Sequence, residues 1–534
     1  MTLRTACDHT AYAPAHSAGG EDRPRLLLIN PRNPLANITN RTNRWNKYRV
    51  WKPLGLLVLA GVTPRQWDIE VVDENIDTPD YRELPLPDLV GVTAFTSQAP
   101  RAYEIAAVWR KRGVAVVMGG IHATMCRQEA ALHVDTVVTR EAESVWPLLL
   151  DDFNDGTLRP LYEGGLEDLR RSRPARHDLL SGEYSFGAIQ TTRGCPLNCS
   201  FCSVSAFNGR TYRHRSIEDV IADLRLLTEK RVLMVDDNFV GISKKHIERT
   251  KNLLRAMIAA DLGKKWICQA TINMADDEEL LDLARRSGCM GAFIGFESPT
   301  TEGLIEVHKQ YHVQKGRDFP ASVQRIQRHG ITVAGSFIVG LDVDQPGIGR
   351  RIAEAASAYH VDFLNAMFLT PLPGTDLWKK MKAENRIATN RFPEDWQYFT
   401  LTLPVGRYLN LDRDQVIDEM IDCNRRFYSW WRIAGRVVRN LLRRQQPYLV
   451  LIGNLSYRRN LALGRALFRK FKRQQGERPA ALGSPPDPDR TPGRDDCPDA
   501  EPALDRRHRQ RDRDGQRVER VVRGTDGTEG LSVL

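Results

Sequence analysis

Three cysteines in one short segment constrain this chain more than any other feature. Cys195, Cys199 and Cys202 have the spacing C-x₃-C-x₂-C and follow an apolar, strand-like run, Phe186 to Thr191. This spacing is too tight for three thiolates to share one helix face, whereas a loop can direct all three inward. Thiolates are soft ligands that select iron–sulfur clusters, zinc or copper(I). Because a four-iron cluster usually takes four cysteines, three would leave one iron open to a substrate.

A zinc site is the alternative, with His214 as a distant fourth ligand. Zinc sites normally pair C-x₂-C with H-x₃-H spacings, and no such pair is present in the sequence. The chain has nine cysteines, an odd number, and those outside the loop are scattered. They do not form the pattern of a disulfide framework. The spacing therefore favours an iron–sulfur cluster, which would need a reducing compartment.

Composition is that of an ordinary globular protein, with 27% charged and 41% hydrophobic residues. A length of 534 residues allows two or three domains. No apolar run approaches the ~20 residues that span a bilayer, and residues 1–23 lack the apolar core of a signal peptide. We therefore expect a cytoplasmic protein. The net charge of +10 is typical either of a solvated basic surface or of attraction to anionic lipid or nucleic acid.

The N-terminal part alternates strand-like and helical patterns. Residues 1–22 are polar and predict a disordered lead, and residues 156–186 are poor in periodicity and predict a connection between domains. The alternation between them, over residues 23–155, predicts a doubly wound parallel sheet whose ligands bind at the carboxyl ends of its strands. The expected strands are Arg25–Asn30, Asp68–Asp73, Leu89–Phe95, Val114–Gly119 and Asp135–Thr139, and the expected helices are Pro53–Val62, Ala102–Arg112 and Ser144–Phe153.

A second series of strands and helices occupies residues 187–400. Its six strand–helix units are too few for a closed eight-stranded barrel. The expected strands are Gly187–Thr191, Val232–Val235, Trp266–Thr271, Ala292–Phe296, Val333–Val339 and Phe363–Leu369.

The cysteine loop, with Phe201 immediately before its last cysteine, resembles the signature of the radical S-adenosylmethionine (SAM) enzymes. The resemblance implies a [4Fe–4S] cluster whose open iron binds SAM and whose electron cleaves it to a radical. It also implies that the six units form the open partial (β/α)₆ barrel of that family. The active site is then expected at the carboxyl ends of the barrel strands, where the cysteine loop begins.

The same resemblance implies where SAM binds. A carboxylate after the second barrel strand, Asp236 or Asp237, would hold the SAM amino group. The fifth strand resembles an adenine-stacking segment, G-x-I-x-G, with serine in place of the first glycine. Polar turns are nevertheless the commoner role of such residues. The implied SAM-binding residues are Phe201, Asp236, Asp237, Glu297, Ser298, Ser336, Ile338 and Gly340.

Residues 23–155 resemble the cobalamin-binding domain that precedes the radical SAM domain in one large subfamily. The likeness is carried by Pro53-Leu54-Gly55, by the strand end Val92–Thr96 and by Gly119-Gly120-x-His122. The chain lacks D-x-H-x-x-G, so the lower face of the cobalt would be open or water-bound. Alternatives are a sheet that has lost its ligand, and a capping or surface role for His122. The implied cobalamin-binding residues are Thr96, Ser97, Gln98, Gly119, Gly120, His122 and Glu141.

The C-terminal part changes character. Residues 401–475 combine arginine and lysine with leucine, tyrosine and tryptophan in amphipathic helical patterns. Such helices most often pack on the neighbouring domain, and the alternative is peripheral membrane contact through residues 425–473. Residues 476–534 have little to bury and predict a disordered tail.

The combined resemblance implies a cobalamin-dependent radical SAM enzyme that methylates an unactivated carbon of a small hydrophobic or natural-product substrate. An electron donor such as flavodoxin or ferredoxin is implied as partner. One alternative is oxidative cyclisation or rearrangement without methyl transfer, and another is a non-catalytic cobalamin- or metal-binding regulator. No nucleic-acid partner is expected, because a tRNA methylthiotransferase would carry a further N-terminal cysteine triad and a C-terminal RNA-binding barrel.

Overall fold

The computed structural model describes residues 23–35, 52–180, 184–309, 316–443 and 445–476, except for the side chain at position 463. The ends predicted to be disordered, residues 1–22 and nearly all of 476–534, lie outside the described residues. Within the described ranges the chain forms two parallel sheets in succession, followed by a helical C-terminal region.

The first sheet is built from residues Arg25 to Glu163 of the chain. Its strands are β1 (Arg25–Asn30), β2 (Asp68–Asp73), β3 (Leu89–Thr93), β4 (Ala115–Gly119), β5 (Thr136–Thr139) and β6 (Leu161–Glu163). The helices between them are α1 (Leu54–Val62), α2 (Ala99–Lys111), α3 (Gly120–Met125), α4 (Arg127–Ala131) and α5 (Trp146–Asn154).

All pairings in this sheet are parallel, in the order β2-β1-β3-β4-β5-β6. The chain therefore changes winding direction between β1 and β3. Ligands of doubly wound sheets bind at such a switch point, outside the carboxyl ends of the strands. The doubly wound architecture predicted from the sequence is confirmed. Strand β6 lies in the interval predicted to be a connection, because three residues are too few to show an alternating pattern.

The second sheet contains the six strands expected for the partial barrel. They are β7 (Gly187–Ile189), β10 (Arg231–Met234), β11 (Lys265–Ala270), β12 (Cys289–Glu297), β13 (Thr332–Val339) and β14 (Phe363–Phe368). Between β7 and β10, the short strands β8 (Thr192–Arg193) and β9 (Arg213–His214) form a separate antiparallel pair. The six pair in parallel in the order β14-β13-β12-β11-β10-β7. The sheet is open, with β7 and β14 at its edges.

Helices connect the barrel strands and end the chain. Those of the barrel are α6 (Ser203–Phe207), α7 (Ile217–Leu226), α8 (Lys244–Ala260), α9 (Glu278–Arg286), α10 (Thr301–Glu306), α11 (Phe319–Arg328), α12 (Ile348–Ala358) and α13 (Asp376–Ala383). The C-terminal region adds α14 (Arg413–Phe427), α15 (Trp430–Leu442) and α16 (Pro447–Gly476).

Helix α16 lies along β14, the edge strand of the barrel. Tyr457 stacks on Phe363 at the start of β14, with ring centroids 6.2 Å apart. Phe468 meets Phe368 at the end of β14, edge-on at 5.9 Å. The helix therefore covers the side on which the open sheet ends, as expected for an amphipathic helix that packs on its neighbour.

The core of the first sheet is completed by residues that follow the barrel. Trp396, Phe399 and Leu403 are buried in the same apolar cluster as Val90 and Trp109 of the N-terminal domain. Because close-packed interiors resist sliding, this shared core fixes the two domains against each other.

Asp362 connects β14 to the helices around it. Its carboxylate accepts hydrogen bonds from the Val333 amide (2.9 Å), Gln327 Nε2 (3.0 Å) and Asn440 Nδ2 (2.9 Å). Its carbonyl oxygen accepts from Asn454 Nδ2 (3.1 Å). Burial raises the pKa of Asp362, and these donors act in the opposite direction.

We expect Asp362→Ala to lower the midpoint of thermal unfolding by several degrees. A buried donor that loses its acceptor costs about 1–3 kcal/mol. The replacement removes one acceptor from each of three donors, although Gln327 and Asn440 still donate to the carbonyls of His360 and Arg436. Differential scanning fluorimetry would measure the change. The control is Asp418→Ala, an exposed aspartate on α14. Equal midpoints for the two variants would contradict this role of Asp362.

Candidate functional site

The cysteine loop lies between β8 and α6 and is held in place at both ends. Gly194 begins it with φ of +88°, and a Cβ there would meet the Thr211 carbonyl oxygen at 2.2 Å, so the position requires glycine. The Gly194 amide donates to Asp237 (2.8 Å). Near the other end, the Leu377 amide donates to the Ser200 carbonyl (2.9 Å). The sulfurs are thus presented by a loop whose backbone the barrel positions.

The thiols of the loop are half-buried. Burial raises the pKa of Cys195, that of Cys199 to about 11 and that of Cys202 to about 12. Metal binding by these thiols must therefore release protons. Within the described part of the chain, no three His, Cys, Asp or Glu side chains are placed to hold a single metal ion. In a cluster each thiolate binds its own iron atom, and three free thiols on one fixed loop fit such a group.

A buried ion pair lies beside the cysteine loop. Lys309 Nζ donates to Glu297 Oε1 (2.7 Å) and to the Gly295 carbonyl (2.8 Å), and both charged side chains are less than a tenth exposed. Burial alone would lower the pKa of Lys309, but Glu297 and the thiols of Cys199 and Cys195 raise it. Glu297 itself has φ of +63°, which is unusual for a residue with a side chain. No local sequence motif singles out Lys309 as a residue of the site.

The two aspartates after β10 have different roles. Asp236 is fully buried and accepts from the Thr191 amide (2.7 Å) and from the amide and hydroxyl of Thr192. Burial raises its pKa to about 6. It braces the strand end ahead of the cysteines. Asp237 accepts from Gly194 and from Asn208 Nδ2 (2.9 Å), and it lines the central cavity described below. Of the two, Asp237 is therefore the one that can reach a ligand.

The implied adenine-binding segment at the end of β13 is buried, and none of its three residues lines the cavity. Ser336 lies on the same alternating face as Ala334, which lines the cavity, and its buried hydroxyl has no hydrogen-bond partner among the described residues. Ile338 is 3% exposed and belongs to the barrel core. Gly340 has φ of +99°, and a Cβ there would meet the Tyr408 ring at 2.5 Å.

The two remaining residues implied in SAM binding make local contacts. The Ser298 hydroxyl lies 3.2 Å from the Thr300 hydroxyl, which caps α10 by accepting from the Gly303 amide. Phe201 packs, half-buried, against the barrel core.

Four of the seven residues implied in cobalamin binding line the central cavity at the strand ends of the first sheet. They are Gln98, Gly119, Gly120 and Glu141. Gly119 and Gly120 end β4, and Gly120 has φ of +91°, with Thr93 Oγ1 only 2.6 Å from where a Cβ would stand. Gln98 donates to the Pro31 carbonyl (2.5 Å). Backbone without side chains therefore faces the cavity here, which fits the close approach of a large flat ligand.

His122 has a different environment from the one expected. It is fully buried, and its Nε2 lies 2.8 Å from the Tyr103 hydroxyl and 3.3 Å from Glu129. The ring of Trp396 packs edge-on against it at 5.5 Å. It is neither a surface histidine nor one of the residues that line the cavity, because the shared core of the two domains encloses it. Thr96 and Ser97 lie in the short turn between β3 and α2, and they also do not line the cavity.

Glu141 forms a salt bridge between the two domains. Arg193 Nη1 donates to its carboxylate (3.0 Å), and Arg213 forms a second, closer pair. Although burial favours the neutral form, Arg213 and Arg193 hold the pKa of Glu141 below its usual range. Arg193 also pairs with Glu143 (2.5 Å) and immediately precedes the cysteine loop. The first sheet is thus tied to the start of the loop.

A central cavity of about 1820 Å³ joins these groups. Strand ends of the first sheet, the residues after the cysteine loop, the inner faces of the barrel strands and helix α16 all line it. Its volume exceeds the ~300–1,000 Å³ of most small-molecule sites, so it has room for more than one ligand. The Phe95 side chain, 66% exposed, projects at the strand ends. Sequence patterns did not indicate the contribution of α16.

Two family models match the chain. The B12 binding domain matches residues 46–150, and the radical SAM superfamily matches residues 189–346. The bacteriochlorophyllide d C-8(2)-methyltransferase of Chlorobaculum tepidum is 27% identical over 81% of this chain and 96% of its own length. The anaerobic magnesium-protoporphyrin IX monomethyl ester cyclase of Rubrivivax gelatinosus is 25% identical over 71% of this chain and 74% of its own length.

The fold also resembles that of a solved structure. The cobalamin-dependent S-adenosylmethionine radical enzyme OxsB, solved with aqua-cobalamin and S-adenosylmethionine bound, matches with a TM-score of 0.60. The match covers 85% of this chain and 76% of OxsB at 14% identity. The likeness shows the fold, a B12-binding domain followed by a partial barrel.

We expect Cys199→Ala to abolish the visible absorbance of an anaerobically reconstituted cluster and to leave cobalamin bound. The cysteine lies in the loop, whereas the cobalamin cradle lies on the first sheet. Iron analysis and the absorbance of retained cobalamin would measure the two separately. Cys126→Ala, at a buried cysteine of the N-terminal domain, is the control. Loss of cobalamin together with iron from the Cys199 variant would contradict this division.

Proposed function

Because this chain is a radical SAM enzyme with an N-terminal B12-binding domain, we propose that it transfers a methyl group from SAM to an unactivated carbon of a bulky apolar substrate. The central cavity carries the proposal. The strand ends that would cradle cobalamin, the surroundings of the cysteine loop and an apolar wall inside the barrel all open onto it. A relative that matches over 81% of this chain and 96% of its own length is named as a methyltransferase.

When bound, the [4Fe–4S] cluster with SAM supplies radical chemistry and cobalamin supplies the methyl carrier. The chain would hold the cluster through Cys195, Cys199 and Cys202. Asp237 is the carboxylate we assign to the SAM amino group, because its partners leave it at the cavity wall. A one-electron donor such as flavodoxin or ferredoxin would act from outside.

The barrel and the domain junction prepare the site for radical chemistry. The inner wall is largely apolar, with Leu233, Ile267, Phe363 and Ala366 facing the cavity, so a hydrophobic body can displace water there. The same strands also contribute polar side chains to the wall, those of Gln269, Thr332 and Asn365. The ion pairs of Glu141 with Arg193 and Arg213 hold the two cofactor-binding domains at a fixed separation. A fixed separation between the domains matters, because the reacting groups must be aligned before the methyl group is transferred.

We expect SAM labelled with deuterium in its methyl group to pass the label to the product. Reconstituted enzyme would be incubated anaerobically with reductant, cobalamin and candidate hydrophobic polycycles, and mass spectrometry would detect the gain of a labelled methyl group. The Cys199→Ala variant is the control, since it should form neither product nor 5′-deoxyadenosine.

The alternatives predict other products. A product without label, formed together with 5′-deoxyadenosine, would favour cyclisation or rearrangement, the reaction class to which the named cyclase among the relatives belongs. Absence of 5′-deoxyadenosine from enzyme with a full cluster would favour a non-catalytic regulator.

We also propose that α15 docks on an anionic membrane surface. Trp431, Val438 and Leu442 lie on one stripe of the helix and are 89%, 51% and 79% exposed. Arg425 and Arg426, on the last turn of the preceding helix α14, are exposed as well, and both pair with Asp422. The pattern is typical of a helix that lies in the membrane interface. Among the described helices, none is long and apolar enough to cross a membrane.

We expect Trp431→Ser combined with Leu442→Ser to reduce co-sedimentation with phosphatidylglycerol-containing vesicles at least tenfold, because both contacts with lipid are lost. Leu132→Ser, at a leucine 65% exposed on the N-terminal domain, is the matched control. A wild-type protein that does not sediment with vesicles would refute the docking. So would an α15 variant that changes only the oligomeric state in size-exclusion chromatography, since the stripe would then join two copies.

A further inference from the structure

Helix α16 contributes positively charged side chains to the lining of the cavity. The helix covers the open edge of the barrel, and its cavity-lining side carries both apolar and cationic residues. The apolar ones include Leu449, Ile452 and Leu467. The cationic ones are Arg459, Arg465 and Lys470, which line the cavity and are also exposed to solvent.

The acids that line the cavity are already engaged. Glu141 and Glu143 pair with Arg193, and Asp237 accepts from the Gly194 amide and from Asn208. They are therefore not free to neutralise cations on the opposite wall.

The three cations of α16 that line the cavity, by contrast, form no ion pair with an acidic side chain in the described ranges. Lys472 of the same helix does not line the cavity and pairs with Asp414 at 2.6 Å. Arg459 and Lys470 are about three helical turns apart, so they share one face and are separated by roughly 16 Å along the helix. Ile452 and Leu467 lie on or near the same face. The wall that α16 forms, which belongs to neither parallel sheet, therefore presents a surplus of positive charge to the cavity.

We propose that these cations bind acidic groups of the substrate, which is therefore an apolar polycycle that carries at least one carboxylate. The proposal deepens the proposed function and rests on it for the placement of the substrate in this cavity. Carboxylates form charge-assisted hydrogen bonds with arginine and lysine. The apolar body of the substrate would lie against Leu467 and the inner strands, and so the acidic group would fix which carbon faces the strand ends.

The test compares acids with their neutral esters. Protoporphyrin IX and its dimethyl ester represent a macrocycle, and ursolic acid and its methyl ester represent a fused-ring polycycle. Binding to cobalamin- and cluster-loaded protein would be measured by quenching of tryptophan fluorescence. For at least one scaffold we expect the acid to bind at least tenfold more tightly than the ester.

Variants locate the effect. Arg459→Gln combined with Lys470→Gln should weaken binding of the preferred acid at least tenfold and leave the ester unchanged, and Arg465→Gln should weaken the acid by a smaller factor. Arg469→Gln is the matched control, because Arg469 is exposed on the same helix but does not line the cavity. It should leave both affinities unchanged.

Four results would overturn the proposal. They are equal affinities of wild type for acid and ester on both scaffolds, no binding of either form, equal weakening of both forms by the double variant, and loss of retained cobalamin from that variant. The last would assign the cations to the cobalamin phosphate. Failure of the proposed function is separately visible, because wild-type protein would then retain no cobalamin or form no 5′-deoxyadenosine, whereas acid selectivity would remain measurable.

Discussion

The ion pairs between Glu141 and its two arginines are the interaction on which the arrangement of the site depends. Glu141 follows β5 of the first sheet, and Arg193 is the residue immediately before the cysteine loop. The pairs are nearly buried, and removing one member of such a pair leaves an uncompensated charge that costs about 3–5 kcal/mol. The separation between the strand ends of the first sheet and the cysteine loop is thus set by a contact that is energetically costly to break. The shared core around Trp396 supports it from the other side.

The cavity is a product of three separate parts of the chain. The first sheet supplies side-chain-free backbone at Gly120, the barrel supplies the cysteine loop and an apolar interior, and α16 supplies the wall that the open sheet lacks. The open six-stranded sheet has two unpaired edges, β7 and β14, and a helix rather than further strands covers β14. That wall lies outside both parallel sheets.

Much of the fold was predictable from local patterns. The two parallel sheets and the six barrel strands follow from alternation of apolar runs with helical periodicity. Strand β6 was not predictable, because its three residues carry no period and only pairing with β5 makes them a strand. The site divides in a similar way. The spacing of the cysteines can be read directly from the sequence. Asp236 and Asp237, by contrast, are neighbours of the same residue type, and only the hydrogen bonds that they accept from Thr191 and Gly194 distinguish them.

The sequence by itself determined the candidate cofactor-binding motifs and the fold class, since thiol spacing, glycine positions and strand alternation are local properties. The tertiary structure decided which of those residues face the cavity. His122 has the residue type expected of a ligand contact but is enclosed by Tyr103, Glu129 and Trp396, the last of which comes from a distant part of the chain. Lys309 and the cations of α16 belong to no sequence motif. Only the structure shows that Lys309 pairs with Glu297 beside the cysteine loop and that the cations line the cavity. Burial and partner choice depend on contacts between distant segments, which no local pattern records.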